Sequence, residues 1–351
     1  MLKSKSLPEQ SDAERDVKQQ AEVVGRLKNF KNWLYEKVKG EERFTGTTKV
    51  VFFFERHSPR DAELFKDWIE KNKPDVIVLE AFKDRKFKKM LDGGMSIEKY
   101  MKRHKYTFPE FSRQQFEFLR EYHHREPKVK IEQVDPGPKN LRVEFLKEFA
   151  YKALGISMDA HLFDASAHGL AVIQGLDAIL GKQNDARRAF AIDDRIRKGK
   201  WHGTILVEAG SDHTEVKNLL KGWFKYDENV EISSIFSTKN LVEKEFGAGT
   251  LEVYPQAHEI ERRSRYKKDL SGEELLAARF IIAACMYETD CKDDAEELKA
   301  YQAIKMANRL SYEECKEVYK KTENMTTDER FNFVKEYLKK RDEKITDSMQ
   351  P

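Results

Sequence analysis

The chain has 351 residues, 39% of them hydrophobic, which is enough for one sizeable core with helical additions or a second small domain. Charged residues make up 36%, but 65 basic and 62 acidic side chains nearly cancel to +3, which argues against a nucleic-acid footprint and for a charge-laced surface. The longest apolar run of the C-terminal half, LLAARFIIAACMY (275–287), is too short to span a bilayer and carries Arg279, so no membrane span is expected.

Val17, Ala21, Val24, Leu27, Trp33, Leu34 and Val38 fall at helical spacing, which predicts an amphipathic helix over 11–39. KVVFFF (49–54) is a near-continuous apolar strand of the kind buried on both faces of a parallel sheet. Ser58 as N-cap and Pro59 at the first helical position open a helix to about Lys71. DVIVLEAF (75–82) gives the second strand, and the three elements make a βαβ unit. Charged helices are expected over 84–103 and 110–124, then a third strand, VKIEQVD (129–135). Helices at about 139–154, 161–181 and 183–198 precede GTILVEAG (203–210), another buried strand, and a helix from Thr214. VEISSIF (230–236) and TLEVY (250–254) read as further strands, and from about 272 the chain is helical. The alternation predicts an α/β fold, a mostly parallel sheet with helices on both faces and helical additions at both ends. The corresponding division is a helical extension over 1–44, an α/β core over 45–290 and a C-terminal helical segment over 291–351.

The strand ends carry the chemistry. KVVFFFERHSPRDAELFKDW (49–68) parallels TILVEAGSDHTEVKNLLKGW (204–223): a buried strand, polar residues, a histidine, then a helix start. His57 and His213 therefore sit at equivalent turns on the carboxyl edge of the sheet, where open α/β folds bind ligands. The positive end of each helix favours a neutral imidazole, able to accept a proton or bind a metal. Glu55, Glu80 and Asp135 end three strands at the same rim, and carboxylates there are costly unless paired, hydrogen-bonded or metal-bound. Arg56 and Asp135 are candidate substrate-binding residues, Arg56 because a guanidinium grips a carboxylate or phosphate.

The succession E-x-H (Glu55, His57), P-D-x-x-x-L-E (Pro74 to Glu80) and G-x-x-H (Gly210, His213) resembles the TraB/TIKI superfamily, over about residues 48–222. That grouping includes TIKI-type proteases and erythromycin-esterase-like and ChaN-like proteins. The resemblance implies a pocket of two histidines and two glutamates, His57, His213, Glu55 and Glu80, with hydrolytic activity in several members, metal-dependent in some. QNDARRAF (183–190) is similar to a polar helix of the family, with Asn184 as a candidate substrate-binding residue and Arg187 or Arg188 as the basic one. Phe54 stands where the family pattern has glycine.

Two chemistries fit these residues. In one, His57, Glu80 and His213 bind a divalent ion, Mn or Zn, and a remaining carboxylate moves the proton. In the other no cofactor is present, a glutamate orients His57 as general base, and His213 or Arg187 stabilises the oxyanion. The leading expectation is a cytoplasmic hydrolase acting on a peptide or ester bond of a small molecule or peptide. That placement rests on the absence of an apolar run in the first twenty residues and of any C-x-x-C pair among Cys285, Cys291 and Cys315. Terminal helices offer a homodimer surface. One alternative is a non-catalytic binding or regulatory protein on the same scaffold. Another is a metal or haem carrier using His161 and His168, which with Asp164 share one face of a predicted helix.

Overall fold

A computed structural model describes residues 46–104, 106, 108–135, 163–250, 260, 272–287 and 291–348. The expected N-terminal helix (11–39), the helix at 139–154, His161 and all but the first residue of TLEVY lie outside the described residues.

In chain order the elements are β1 (Thr48–Glu55), α1 (Pro59–Asn72), β2 (Val76–Phe82), α2 (Arg85–Leu91), α3 (Ile97–Met101), α4 (Pro109–Arg125) and β3 (Lys130–Asp135). There follow α5 (Phe163–Arg197), β4 (Gly203–Gly210), a 3-10 turn (Ser211–His213), α6 (Thr214–Trp223), β5 (Val230–Phe236), α7 (Lys239–Phe246), α8 (Glu273–Ala284), α9 (Asp294–Ala307), α10 (Tyr312–Thr322) and α11 (Thr327–Ser348). The five strands form one parallel sheet in the order β3-β2-β4-β1-β5. The α/β fold with helices on both faces is what the apolar strand runs predict, since strands covered on both sides need no polar face.

Strand alternation sorts the core into two layers. Val50, Phe52 and Phe54 of β1 pack with Ile205 and Val207 of β4 against Ala189, Ile192 and Ile196 of α5 and Val216 and Leu220 of α6. Val51 and Phe53 point the other way, with Ile77 and Leu79, onto Phe65 and Ile69 of α1 and Phe116 and Leu119 of α4. The chain after β1 and β2 thus leaves towards one face and the chain after β4 towards the opposite face. β4 lies between β1 and β2, so its carboxyl end is a topological switch point, where such sheets open a crevice.

Residues 163–197 form one helix of 35 residues, where two were expected. Its first half, with Phe163, Ala167 and Leu170, belongs to a third apolar cluster built with α8 to α11, which includes Tyr287 and Cys291. Its second half covers the sheet, so a helix with two partners needs no break between them. No described helix is long and apolar enough to cross a membrane.

Candidate metal centre at the switch point

The carboxyl ends of β1 and β4 carry two buried glutamates on one face. Glu55 continues the alternation of Val51 and Phe53, and Glu208 that of Leu206. The register pairs Phe53 with Glu208 and Glu55 with Gly210. Glu55 is fully buried and neither carboxyl oxygen has a hydrogen-bond partner. Burial, and then the charge of Glu208, push its pKa well above the usual carboxylate range. Glu208 accepts the Glu80 N–H at 2.7 Å through one oxygen, and its other oxygen lies 3.4 Å from His57 Nε2. His57 Nε2 is 4.0 Å from Glu55. One ligand atom from each of Glu55, His57 and Glu208 lies within 4.8 Å of the other two, a group able to hold a metal ion.

His57 is held in an uncommon pose. Its φ is +62°, in the left-handed region that a non-glycine residue enters only when its surroundings impose it. On either side of it, the N–H groups of Arg56 (3.0 Å) and Ser58 (3.1 Å) donate to Asp61 Oδ2, and Ser58 Oγ in turn accepts the Asp61 N–H, completing the capping box. The imidazole stacks on Phe108 at 5.1 Å and meets Phe111 edge-on. Burial works against its charge, but the hydrogen bond and charge of Glu208 raise its pKa.

Glu80 falls on the opposite face of the sheet from Glu55 and organises a second group. It accepts the Gly210 N–H at 2.5 Å, and its other oxygen lies 2.9 Å from Arg188 Nη1 and 2.7 Å from His213 Nε2. His213 Nδ1 is 2.7 Å from Asp185, and Arg188 reaches on to Asp135 and Asp185. Burial pushes Glu80 up, but Arg188 and His213 together hold it well below its ordinary value. Burial also opposes the His213 imidazolium, yet Glu80 and Asp185 lift its pKa to about 10. The neutral imidazoles expected at helix starts are thus both shifted towards the charged form. A carboxylate within hydrogen-bond reach outweighs the fractional charge of a helix end.

Gly210 joins the two groups. A Cβ there would lie 2.9 Å from His57 Cε1, 3.5 Å from Glu80 Oε2 and 3.6 Å from His213 Cδ2. Only a residue without a side chain lets the rings approach the strand end from both faces.

The remaining candidates fall as follows. Arg56, expected to grip a substrate, donates to buried Glu297 at 2.8 Å and lies 5.1 Å over the Tyr301 ring. Asp135 is bonded by Arg188. Arg187 and Asn184 are half-buried on α5, and neither forms a hydrogen bond or ion pair with the two groups. The arginine that reaches the site is Arg188, buried on the helix face that also carries Asp185, Ala189 and Ile192. Asp164 is held by Lys316 and Tyr312 and His168 by Glu274, so this helix face gathers no ligand set among the described residues. Phe54 stacks on Phe52 and lies tilted against Phe236 inside the core. Of the set expected to bind metal, His57 is in the group described above, whereas Glu80 and His213 are bonded to each other. Sequence reasoning missed Glu208 and Asp185. The signal for Glu208 was a carboxylate inside an otherwise apolar strand, ILVEAG.

Two carboxylates and one imidazole suit a hard or borderline divalent cation such as Mn or Zn, and three protein ligands leave positions open for other groups. Comparison with protein-family models, with curated proteins and with solved structures finds no match.

Proposed function

We propose that the chain is a metal-assisted hydrolase of the TraB/TIKI type, acting on a peptide or ester bond, with the ion held by Glu55, His57 and Glu208. The observation that carries this reading is the Glu55 carboxyl. A fully buried carboxyl that faces only the Glu208 carboxyl and, at 4.0 Å, the His57 ring is expensive, and a cation shared with His57 and Glu208 would complete it. A divalent ion there supplies Lewis acidity towards a carbonyl. His213 and Arg188 lie on the other side of Gly210, paired with Glu80; released from that carboxylate, their N–H groups would stabilise negative charge developing on the carbonyl oxygen. The resemblance of the E-x-H, L-E and G-x-x-H motifs to that grouping supports the same reaction class.

The test is elemental analysis by plasma mass spectrometry after reloading with Mn or Zn. Wild type is compared with a Glu55→Gln/Glu208→Gln double variant, followed by a panel of peptides and esters. Near-stoichiometric metal in wild type, lost in the variant, with metal-dependent turnover, is the expected result. No metal in either protein overturns the reading.

A second reading has its own observation. Both nitrogens of His213 are already engaged, and Arg188 is shared among three carboxylates, so that side of the site is closed upon itself. A binding or regulatory protein that holds a metal without turnover fits that closure. Metal binding with no hydrolysis anywhere in the panel would favour it.

A further inference from the structure

We propose that the C-terminal helices act on the site: the Arg56–Glu297 pair is a positioning device that fixes the turn carrying His57. The consequence for metal affinity rests on the reading above; the positioning itself does not.

Arg56 stands between Glu55 and His57, two of the three residues of the metal group. Its side chain crosses to α9, where Nη1 meets Glu297 Oε1 at 2.8 Å and the guanidinium lies over Tyr301. Glu297 is 1% exposed and Tyr301 is fully buried. Arg60, on the other side of His57, pairs with Asp294 of the same helix and also donates to the Ser237 carbonyl. Asp294, Glu297 and Tyr301 fall at i, i+3 and i+7, so one stripe of α9 grips the chain on both sides of His57.

The turn needs such a grip. His57 sits at φ +62°, a conformation that persists only when neighbouring structure imposes it. Asp61 supplies one restraint through the Arg56 and Ser58 amides. The α9 stripe supplies the second from outside the βαβ unit. A buried ion pair is a poor source of stability, since apolar replacements serve as well, so what it provides here is a fixed position. Groups behind a metal ligand that fix its orientation are the known means of holding affinity high.

The test uses the full chain with Glu297→Gln, Arg56→Met and Arg56→Lys. Amide hydrogen exchange is read at Arg56 and Ser58, whose N–H groups report the turn directly, and at Val51 to Phe53 inside β1. Manganese affinity is measured by titration calorimetry. In Glu297→Gln and Arg56→Met, exchange at Arg56 and Ser58 rises about tenfold or more while β1 is unchanged. Arg56→Lys keeps most of the protection, and manganese affinity falls about tenfold in the first two variants. Unchanged exchange at Arg56 and Ser58 overturns the proposal. So does an equal rise in β1, which would make the pair merely structural. If wild type binds no manganese but the local rise is seen, the metal reading fails and the positioning stands. Should Glu297→Gln not fold, Tyr301→Leu, which removes the ring beneath the guanidinium, gives the same readout.

Discussion

His213 Nε2 lies 2.7 Å from Glu80 Oε1, an ion pair that ties the stability of the fold to pH. The imidazolium is favoured in the folded chain, with a pKa lifted to about 10 from an ordinary 6.5. A raised histidine contributes stability that is complete below the unfolded value and is lost as pH rises through the folded one. Glu80 is depressed, so its contribution is present above the ordinary carboxylate pKa and is lost as pH falls. Wild type should therefore weaken in urea as pH is raised from about 6.5 towards about 10, the range set by the His213 shift. A His213→Gln variant, less stable at pH 6, should show a flatter profile over that range. An equal slope in both proteins would show that the pair does not govern it.

Gly210 offers a cleaner probe of the metal group. Its φ of −58° is one that any residue adopts, so alanine there meets no backbone strain. The added Cβ would instead lie 2.9 Å from His57 Cε1, and the ring is hemmed by Phe108 and Phe111. Gly210→Ala is expected to cost about 1–3 kcal/mol of stability through overpacking and to lower metal affinity by displacing His57. Calorimetric titration with manganese, beside a thermal melt, checks both. A variant that melts lower but binds manganese as wild type does would place the metal away from His57.

Much of this arrangement was legible in the sequence, and the gaps have physical causes. The strands of the βαβ unit and β4 announce themselves because both faces are covered, so no polar alternation interrupts them. His57 and His213 could be placed at one edge because both follow such runs. Glu208 was hidden because a strand's face is fixed only once its partner and register are known, and it is the pairing of Phe53 with Glu208 that brings Glu208 beside Glu55. The choice between Arg187 and Arg188 turned on helix phase. Asp185, Arg188, Ile192 and Ile196 recur every three or four residues on the buried face, and Arg187 lies off it. The grip of α9 on Arg56 spans 241 residues of sequence, and no local pattern signals it.

The two neighbouring arginines make opposite predictions. Arg188 is buried among Glu80, Asp135 and Asp185, whose carboxylates are themselves largely or fully covered. Arg188→Met leaves these charges uncompensated and should cost about 3–5 kcal/mol, the usual loss when one partner of a buried pair is removed. Arg187→Ala, half-buried and outside both groups, should change stability by about 0.5 kcal/mol or less. Urea denaturation of the two variants decides, and similar losses in both would contradict the assignment of Arg188 as the arginine of the site.

Glu55 gives the sharpest contrast between stability and function. Its carboxyl is buried against the Glu208 carboxyl and receives no N–H donor, so the metal-free fold carries a poorly satisfied polar group. Glu55→Leu replaces it with an apolar side chain of similar size amid Phe53 and its neighbours. The metal-free variant should be more stable than metal-free wild type by about 1–3 kcal/mol, the usual cost of such a group. Metal should act in the other direction. A ligand bound only by the folded state stabilises it by about 2.7 kcal/mol at a hundredfold excess over its Kd, so wild type should gain from manganese or zinc while the variant should not. Thermal melts of both proteins, with and without each ion, separate these effects. A leucine variant that melts lower than wild type without metal would mean that Glu55 already has a stabilising partner. A variant that still gains stability from the ion would mean that the ion binds elsewhere.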